Sequence, residues 1–213
     1  MKVLYYDQLS PEWWADKVGS IGGKRFGQVI STRENRLVYE LINETLNGYV
    51  QQDDFMSDDM QFGVDNEDAA REMYIEKTGI NFTKVGMIKS DYSDMHHASP
   101  DGLSECKTKV LEVKSTENGA IHLQRYFEGV ESAYMPQIIN YFAVSDEIKE
   151  VHFVSYCPYR TERPIVAHIF TLGTVINVSK TKSVTIADIV NQGREQIVMI
   201  EKEVKEKIEQ FTF

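Results

Sequence analysis

The chain has 213 residues, which is the size of one domain, and we expect residues 1–213 to form a single unit. With 42% hydrophobic residues it can bury a core, and no apolar run approaches the roughly 18 residues of a membrane span. The net charge of −10 argues against a generic basic protein that coats nucleic acid. Two cysteines and no evident signal peptide favour a reducing, cytoplasmic location.

Helical patterns dominate the first eighty residues. Ser10-Pro11-Glu12 is typical of a helix start, and the Gly22-Gly23 turn leads into a second helix. Apolar spacing predicts a third helix over residues 33–47. Residues 51–63 are polar and acidic and predict a loop. A fourth helix is predicted from about Asn66 to Thr78, ending at Gly79.

Strand patterns begin in the middle of the chain. Short apolar runs between turn residues predict strands at 85–88, 97–99, 110–114, 151–156 and 165–172. Apolar residues predict an amphipathic helix over 131–144. They also predict a C-terminal helix, whose apolar positions, three and four apart, are Ile197, Ile200, Val204, Ile208 and Phe211. The strand–helix–strand order predicts a βαβ unit with a parallel pair. We therefore expect an α/β fold in which a small mixed central sheet is flanked by helices.

Acidic residues and a lysine fall at informative places in these predicted elements. Asp101 lies in a tight turn, and Glu112 and Lys114 are two residues apart on one strand, so their side chains share a face. Leu111 and Val113 would occupy the other, buried face. The ten-residue gap fits a hairpin that brings Asp101 beside Glu112. A further carboxylate, Glu67, lies at the start of the predicted helix 66–78.

This set of side chains suits phosphodiester hydrolysis with Mg²⁺. Magnesium is held by one or two carboxylates together with water and phosphate oxygens. Asp101 and Glu112 can supply the carboxylates, the backbone carbonyl of Val113 can add a ligand, and Lys114 would lie beside a coordinated water. Taken singly, the features also fit ordinary structure, since an Asp-Gly turn is common in hairpins and Glu-x-Lys often forms a weak exposed ion pair.

The pair Pro100-Asp101 followed by Glu112-Val113-Lys114 has the spacing of the PD-(D/E)xK nuclease signature. From about residue 10 to about residue 160 the chain resembles the family of lambda exonuclease and the YqaJ-type viral recombinases, the phage alkaline exonucleases. The matching stretches are Ser10 to Trp14, Phe62-Gly63 through Glu67 to Arg71, Ala98 to Leu103, Leu111 to Lys114, and Ser132 to Gln137.

The resemblance implies a restriction-endonuclease-like core and a Mg²⁺-dependent 5′→3′ exonuclease, with Mn²⁺ as a substitute. Such an enzyme degrades one strand of linear duplex DNA from its ends and leaves 3′ overhangs for a single-strand annealing protein in phage-type recombination. It also implies a homotrimeric ring, in which encircling the DNA would compensate for the acidic surface. A phage-encoded enzyme would act in the host cytoplasm.

The resemblance further implies roles for individual residues. Asp101 and Glu112 would hold the metal, Lys114 would be the catalytic lysine, Glu67 would help to bind a second metal or its water, and Gln137 would contact the region of the nucleophile. The 5′-phosphate and the DNA end would meet the segment containing Trp14, Lys17, Lys24 and Arg25.

The 5′-phosphate segment departs from the family pattern. Lys17 and Lys24 stand at family positions for an arginine and a serine, and a lysine lacks the bidentate fork of arginine. The Gly22-Gly23 turn resembles an anion-binding nest. Solvated lysines before a helix are an equal alternative to a phosphate site.

Two other functions remain open. One is an endonuclease of the restriction or junction-resolving type on the same core, which would nick closed circular DNA. The other is a catalytically silent module that binds DNA ends without turnover in Mg²⁺ or Mn²⁺.

Overall fold

A computed structural model describes residues 1–31, 36–50, 57–179 and 181–212. The elements in chain order are β1 (Lys2–Leu4), α1 (Pro11–Lys17), α2 (Gly23–Ser31), α3 (Arg36–Asn47), α4 (Asp58–Thr78), β2 (Phe82–Thr83), β3 (Met87–Lys89), β4 (His97–Ala98), β5 (Gly102–Ser104), β6 (Lys109–Ser115), α5 (Gly119–Glu128), α6 (Met135–Val144), β7 (Glu150–Tyr156), β8 (Ile165–Phe170), β9 (Val175–Ser179), β10 (Lys182–Thr185) and α7 (Ile186–Thr212).

The predicted α/β architecture is confirmed. The main sheet of the described residues has the order β2-β5-β6-β7-β8, with β6 and β7 parallel and the other pairs antiparallel. The parallel pair is joined through α5 and α6, so the predicted βαβ unit is present. A smaller antiparallel sheet is formed by β1, β3 and β4.

The two faces of β6 pack against different layers. Leu111 and Val113 are buried with Tyr74 of α4 on one side. Val110 belongs to the larger core on the other side, together with Ile138 of α6. Because side chains alternate along a strand, this register turns Glu112 and Lys114 toward the α6 side of the sheet. The sequence-based assignment of opposite faces is therefore confirmed.

The prediction of a loop over residues 51–63 is wrong for its second half. Residues 51–56 lie outside the described residues, but α4 begins at Asp58 rather than at Asn66. The Ser57 hydroxyl accepts a hydrogen bond from the Met60 N–H at 3.2 Å. Acidic side chains in a first turn interact favourably with the positive end of the helix, so the acidic composition supports a helix start. The predicted end at Gly79 is confirmed, with φ of 69°.

Other boundaries also differ from the predictions. The helix predicted over 33–47 is described from Arg36, because residues 33–35 lie outside the described residues. The helix α5 and the β9–β10 hairpin were not predicted. The predicted C-terminal helix is present as α7, which begins at Ile186, ahead of its first predicted apolar position, Ile197. No helix within the described ranges combines the length and the apolar character needed to cross a bilayer.

Candidate active site

The β5–β6 hairpin places Asp101 beside the strand that carries Glu112. Gly102 pairs with Leu111, and the Asp101 N–H donates to the Leu111 carbonyl at 3.1 Å. The Asp101 side chain then accepts a hydrogen bond at Oδ2 from the Val113 N–H, at 2.6 Å. The predicted hairpin is confirmed, and it ties the Asp101 carboxylate to the backbone between Glu112 and Lys114.

Glu112 is 1% exposed and is held at both oxygens. Its Oε1 accepts from the Lys114 ammonium, in an ion pair, and from Gln137 Nε2 at 2.8 Å. Its Oε2 accepts from the Tyr141 hydroxyl. These three donors come from β6 and α6, so the helix that covers the sheet also orients the carboxylate.

The electrostatics of this cluster favour an added positive charge. Burial, and then the negative charge of Glu112, raise the pKa of Asp101 well above its ordinary value. Burial alone would lower the pKa of Lys114, but the charges of Glu112 and Asp101 outweigh it and raise that pKa. Burial and the charge of Glu112 also raise the pKa of Tyr141, which keeps its hydroxyl protonated as a donor.

The donor set fits a hard divalent cation. In the described part of the chain, no group of three or more His, Cys, Asp or Glu side chains comes together as a possible metal site. The cluster offers two carboxylates to a cation, those of Asp101 and Glu112. That number is common for Mg²⁺, which completes its shell with water and phosphate oxygens. Asp101 uses one carboxylate oxygen for the Val113 N–H, and a cation would relieve its repulsion with Glu112.

We expect the protein to lose stability in a chelating buffer as the pH rises. Because the folded-state pKa of Asp101 is raised, its stabilising contribution is present below its unfolded pKa and is lost as the pH rises through the folded value. Asp101→Asn removes this titration, so at pH 8 with EDTA its melting temperature should exceed that of the wild type by about 2–4 °C for each kcal/mol of relieved repulsion. Thermal unfolding between pH 4 and pH 9 tests this, and identical pH profiles for the two proteins would contradict it.

Glu67 lies near this cluster but has partners of its own. Its carboxylate is 3.4 Å from Arg71 Nη1 and 3.6 Å from Lys84 Nζ. Its charge contributes to the raised pKa of Asp101, and Arg71 also donates to the Asp101 carbonyl at 3.4 Å. The metal-binding roles predicted for Glu67 and for the Val113 carbonyl stay predictions.

A cleft of about 970 Å³ joins the carboxylate pair to the basic N-terminal segment. It runs between the start of α2, the hairpin and α6. The predicted site residues that line it are Trp14, Lys17, Lys24, Arg25, Asp101, Glu112, Lys114 and Gln137. The structure therefore brings together two groups of residues that are separated by more than seventy positions in the sequence.

The two tryptophans differ in their surroundings. Trp13 is buried and its Nε1 donates to the Ser99 hydroxyl at 3.0 Å, whereas Trp14 is half-buried. The rings meet edge to face with centroids 4.8 Å apart, and Lys17 Nζ lies 3.9 Å from the Trp13 centroid and 4.8 Å from that of Trp14. Trp13 therefore belongs to the core, and the role predicted for Trp14 at a DNA end stays a prediction.

Arg25 is bound within the protein. Its guanidinium forms a two-pronged ion pair with the buried Glu44 and donates to the Ser20 carbonyl at 2.8 Å. Glu44 also accepts from the Gly19 N–H at 3.2 Å. The Arg25–Glu44 ion pair therefore holds the turn before α2 against α3. Sequence reasoning did not identify Glu44, and no local pattern connects it to Arg25.

We expect Glu44→Ala to lower the free energy of unfolding by about 2–4 kcal/mol, because it leaves a largely buried guanidinium without its anion. The double variant Arg25→Ala/Glu44→Ala should lose less than the sum of the single variants. Urea denaturation measures both quantities. Additive losses would show that the ion pair contributes little.

The glycines before α2 allow close packing. A Cβ at Gly22 would lie 2.8 Å from His97 Nε2, and one at Gly23 would lie 3.0 Å from Gln137 Cγ. Neither glycine has the positive φ found at Gly19. An anion-binding nest alternates right-handed and left-handed backbone conformations, so glycine is required at these two positions by close packing and not by a nest. Burial lowers the pKa of His97 well below its ordinary value, and its neutral ring bonds to Ser20 Oγ at 3.0 Å.

Tyr141 joins the candidate site through Glu112, a contact that the sequence alone did not predict. It lies four positions after Gln137 on α6, a spacing that places both on one helix face. This shared face is the sequence signal that places the tyrosine beside the glutamine. The Tyr141 hydroxyl donates a hydrogen bond to Glu112 and accepts one from Gln137 Nε2 at 3.2 Å.

Comparison with known proteins identifies a family for the sequence. The sequence profile of the YqaJ-like viral recombinase domain matches residues 12–147. The chain belongs to that family. A search of curated proteins gives no match.

Solved structures share the fold. An alkaline exonuclease from Laribacter hongkongensis, LHK-Exo, is 24% identical with a TM-score of 0.73, and the match covers 95% of this chain and 98% of that one. A structure of LHK-Exo in complex with dAMP gives a TM-score of 0.72 at the same identity and coverage. A phage-related exonuclease from Haemophilus somnus 129PT is 13% identical with a TM-score of 0.60, covering 90% and 96%. This YqaJ-like domain therefore has the fold of these exonucleases.

Proposed function

We propose that this YqaJ-like domain is a metal-dependent 5′→3′ exonuclease that degrades one strand of linear duplex DNA and leaves 3′ overhangs. The observation that carries the proposal is the single cleft in which the Asp101–Glu112 carboxylate pair and Lys114 lie beside a basic, tryptophan-lined pocket. The fold shared with an alkaline exonuclease supports it.

The proposed cofactor is Mg²⁺, with Mn²⁺ as a substitute. Asp101 and Glu112 would hold the ion, with the Val113 carbonyl as a further ligand. When bound, it would polarise the scissile phosphate and acidify a coordinated water. Gln137 and Tyr141 fix the orientation of Glu112 through their hydrogen bonds to its two oxygens.

Lys114 would act from the same side of the sheet. Its pKa is raised by the neighbouring carboxylates, so its side chain is an ammonium that can orient a water and offset charge that develops on the phosphate. Glu67 would act from α4, through its charge next to Asp101, or as a ligand of a second ion.

The 5′-phosphate would bind at the start of α2. The first backbone hydrogen bond there runs from the Phe26 N–H to the Gly22 carbonyl. The N–H groups of the preceding residues therefore have no acceptor within the helix, and such groups can bind an anion. Lys24 is exposed at this end, and Lys17 lies against Trp14 on the cleft wall. The guanidinium of Arg25 already binds the Glu44 carboxylate. We therefore propose that the two lysines contact the phosphate and that Arg25 contributes only its positive charge.

We expect affinity for a 5′-phosphorylated end to fall as the pH rises from 7 to 9.5. Burial, together with the charge of Arg25, lowers the pKa of Lys17 to about 8. A bound phosphate favours the protonated lysine. The affinity for the 5′-phosphorylated end should therefore be high below that pKa and about tenfold lower above it. Fluorescence anisotropy with a labelled duplex in EDTA measures it. Lys17→Arg should flatten the profile, and a flat wild-type profile would remove Lys17 from the phosphate site.

A digestion assay tests the function itself. Linear 5′-phosphorylated duplex, labelled on one strand at a time, should lose nucleotides from its 5′ ends in Mg²⁺ and remain intact in EDTA. Covalently closed circular DNA should stay uncut. Nicking of the circle would favour the endonuclease alternative, and binding of ends without turnover in Mg²⁺ or Mn²⁺ would favour a silent end-binding module.

The proposal includes an assembly. A homotrimeric ring around DNA would allow a protein with a net charge of −10 to stay on its substrate, and a single-strand annealing protein in the host cytoplasm would receive the 3′ overhang. Sedimentation of the native protein tests the ring, and a monomeric active enzyme would exclude it.

A further inference from the structure

A buried arginine on α5 contacts the backbone of β6, the strand that carries Lys114. Arg125 of α5 is 4% exposed, and its Nη1 donates to the Lys114 carbonyl at 3.1 Å and to Ser155 Oγ at 3.2 Å. Lys114 and Ser155 are register partners in the parallel β6–β7 pair. One guanidinium therefore joins both strands near their carboxyl ends, where the candidate active site lies.

The same guanidinium contacts the segment that leads into α6. It pairs with Glu131 at 2.9 Å through Nη2 and at 3.0 and 3.1 Å through Nε, and its Nη2 is 3.4 Å from the Tyr134 hydroxyl. The centre of the Tyr134 ring is 5.5 Å from the guanidinium carbon and 5.7 Å from Lys114 Nζ. Tyr134 directly precedes α6, three residues before Gln137.

Arg125 contacts the chain close to two side chains that meet at Glu112. Lys114 Nζ and Gln137 Nε2 both donate to Glu112 Oε1, yet they come from β6 and α6. A hydrophobic residue at position 125 could fill the space with a smaller desolvation cost than a charge. It could not hydrogen-bond to β6, to β7 and to the segment before α6 at the same time.

We propose that Arg125 is a positioning residue that sets the placement of Lys114 and Gln137 about Glu112. The proposal rests on the proposed nuclease function and concerns the geometry of that site. Arg125 does not touch the cleft. It acts through the Lys114 backbone and the Tyr134 ring, and Glu131 neutralises its charge.

Steady-state kinetics of Arg125→Gln, measured well below its melting temperature, tests the proposal. We expect kcat to fall by about 100-fold while KM changes by less than about threefold, because misplaced groups slow the chemical step more than they weaken binding. Arg125→Lys should recover part of kcat, since it keeps the charge and one donor to the Lys114 carbonyl.

Arg194→Gln is the matched control. Arg194 is also largely buried, donates to the carbonyls of Phe142 and Ala143 at the other end of α6, and pairs with Asp146. This variant should lose thermal stability and keep kcat within about twofold, since its contacts lie outside the cleft. An unchanged kcat in Arg125→Gln, or an equal loss of kcat in Arg194→Gln, would overturn the positioning role.

A crystal structure of Arg125→Gln separates this proposal from the nuclease proposal. If the wild-type protein digests no DNA, the proposed function fails, but the geometry can still be compared. Displacement of Lys114, of the Tyr134 ring or of Gln137 relative to Glu112 is the expected result. Unchanged positions of all three side chains would show that Arg125 does not set them.

Discussion

Asp101→Asn is expected to lower the rate of DNA degradation by at least about 10³-fold, the equivalent of several kcal/mol of transition-state stabilisation. Asparagine keeps the size of the side chain and an oxygen that can accept the Val113 N–H, so the β5–β6 hairpin should stay intact. The loss removes one of the two negative charges proposed to hold Mg²⁺. Digestion of linear 5′-phosphorylated duplex over a range of Mg²⁺ concentrations measures the effect.

The matched control for this loss is Asp65→Asn. Asp65 is exposed on α4, and its side chain accepts a hydrogen bond from Gln61 at 2.7 Å. Activity of this variant should equal that of the wild type. If Asp101→Asn kept its activity within tenfold, the carboxylate pair would not be the metal site, and the function proposed for the cleft would lose its basis.

Lys114→Met is expected to lower kcat by about 10²–10⁴-fold with little change in affinity for DNA ends. Methionine matches the length of the lysine stem but leaves the Glu112 carboxylate without its ion pair. Binding should persist because the ammonium of Lys114 faces Glu112, whereas the proposed phosphate contacts come from Lys17 and Lys24. Single-turnover digestion and anisotropy in EDTA separate the two quantities.

Lys149→Met is the control for the loss of a lysine charge. Lys149 is exposed and donates to the Asp146 carbonyl, away from the cleft. It should leave both rate and affinity unchanged. A Lys114→Met variant that bound DNA ends more weakly but cleaved at the wild-type rate would place Lys114 in the binding pocket instead of beside the reacting water.

Local patterns in the sequence determined much of the fold. Strand alternation placed Glu112 and Lys114 on one face, and the turn at Asp101 predicted the hairpin that the structure contains. Ser10 caps α1 and Gly79 ends α4, as their residue types indicate. These features depend on neighbours in the chain, so residue type and spacing suffice to predict them.

Composition misled where two physical effects favour different structures. The stretch from Asp58 to Gly63 is polar enough for a loop, yet acidic side chains also stabilise the first turn of a helix, and Ser57 supplies a cap. The helix α5 begins at Gly119 and is capped by Asn118, whose side chain accepts a hydrogen bond from the Ala120 N–H at 2.9 Å. Its apolar pattern is interrupted by His122 and Arg125. Both polar side chains are buried and satisfied by tertiary partners.

The sequence by itself determined which residues carry the proposed chemistry and which face of β6 they share. Only the tertiary structure decided their partners: Arg25 with Glu44, Glu112 with Tyr141, and Arg125 with the Lys114 carbonyl. Each of these contacts joins separate elements, over 11 to 29 positions of the chain. Spacing along a strand or helix predicts neighbours within that element, whereas contacts between elements depend on how helices and sheet pack.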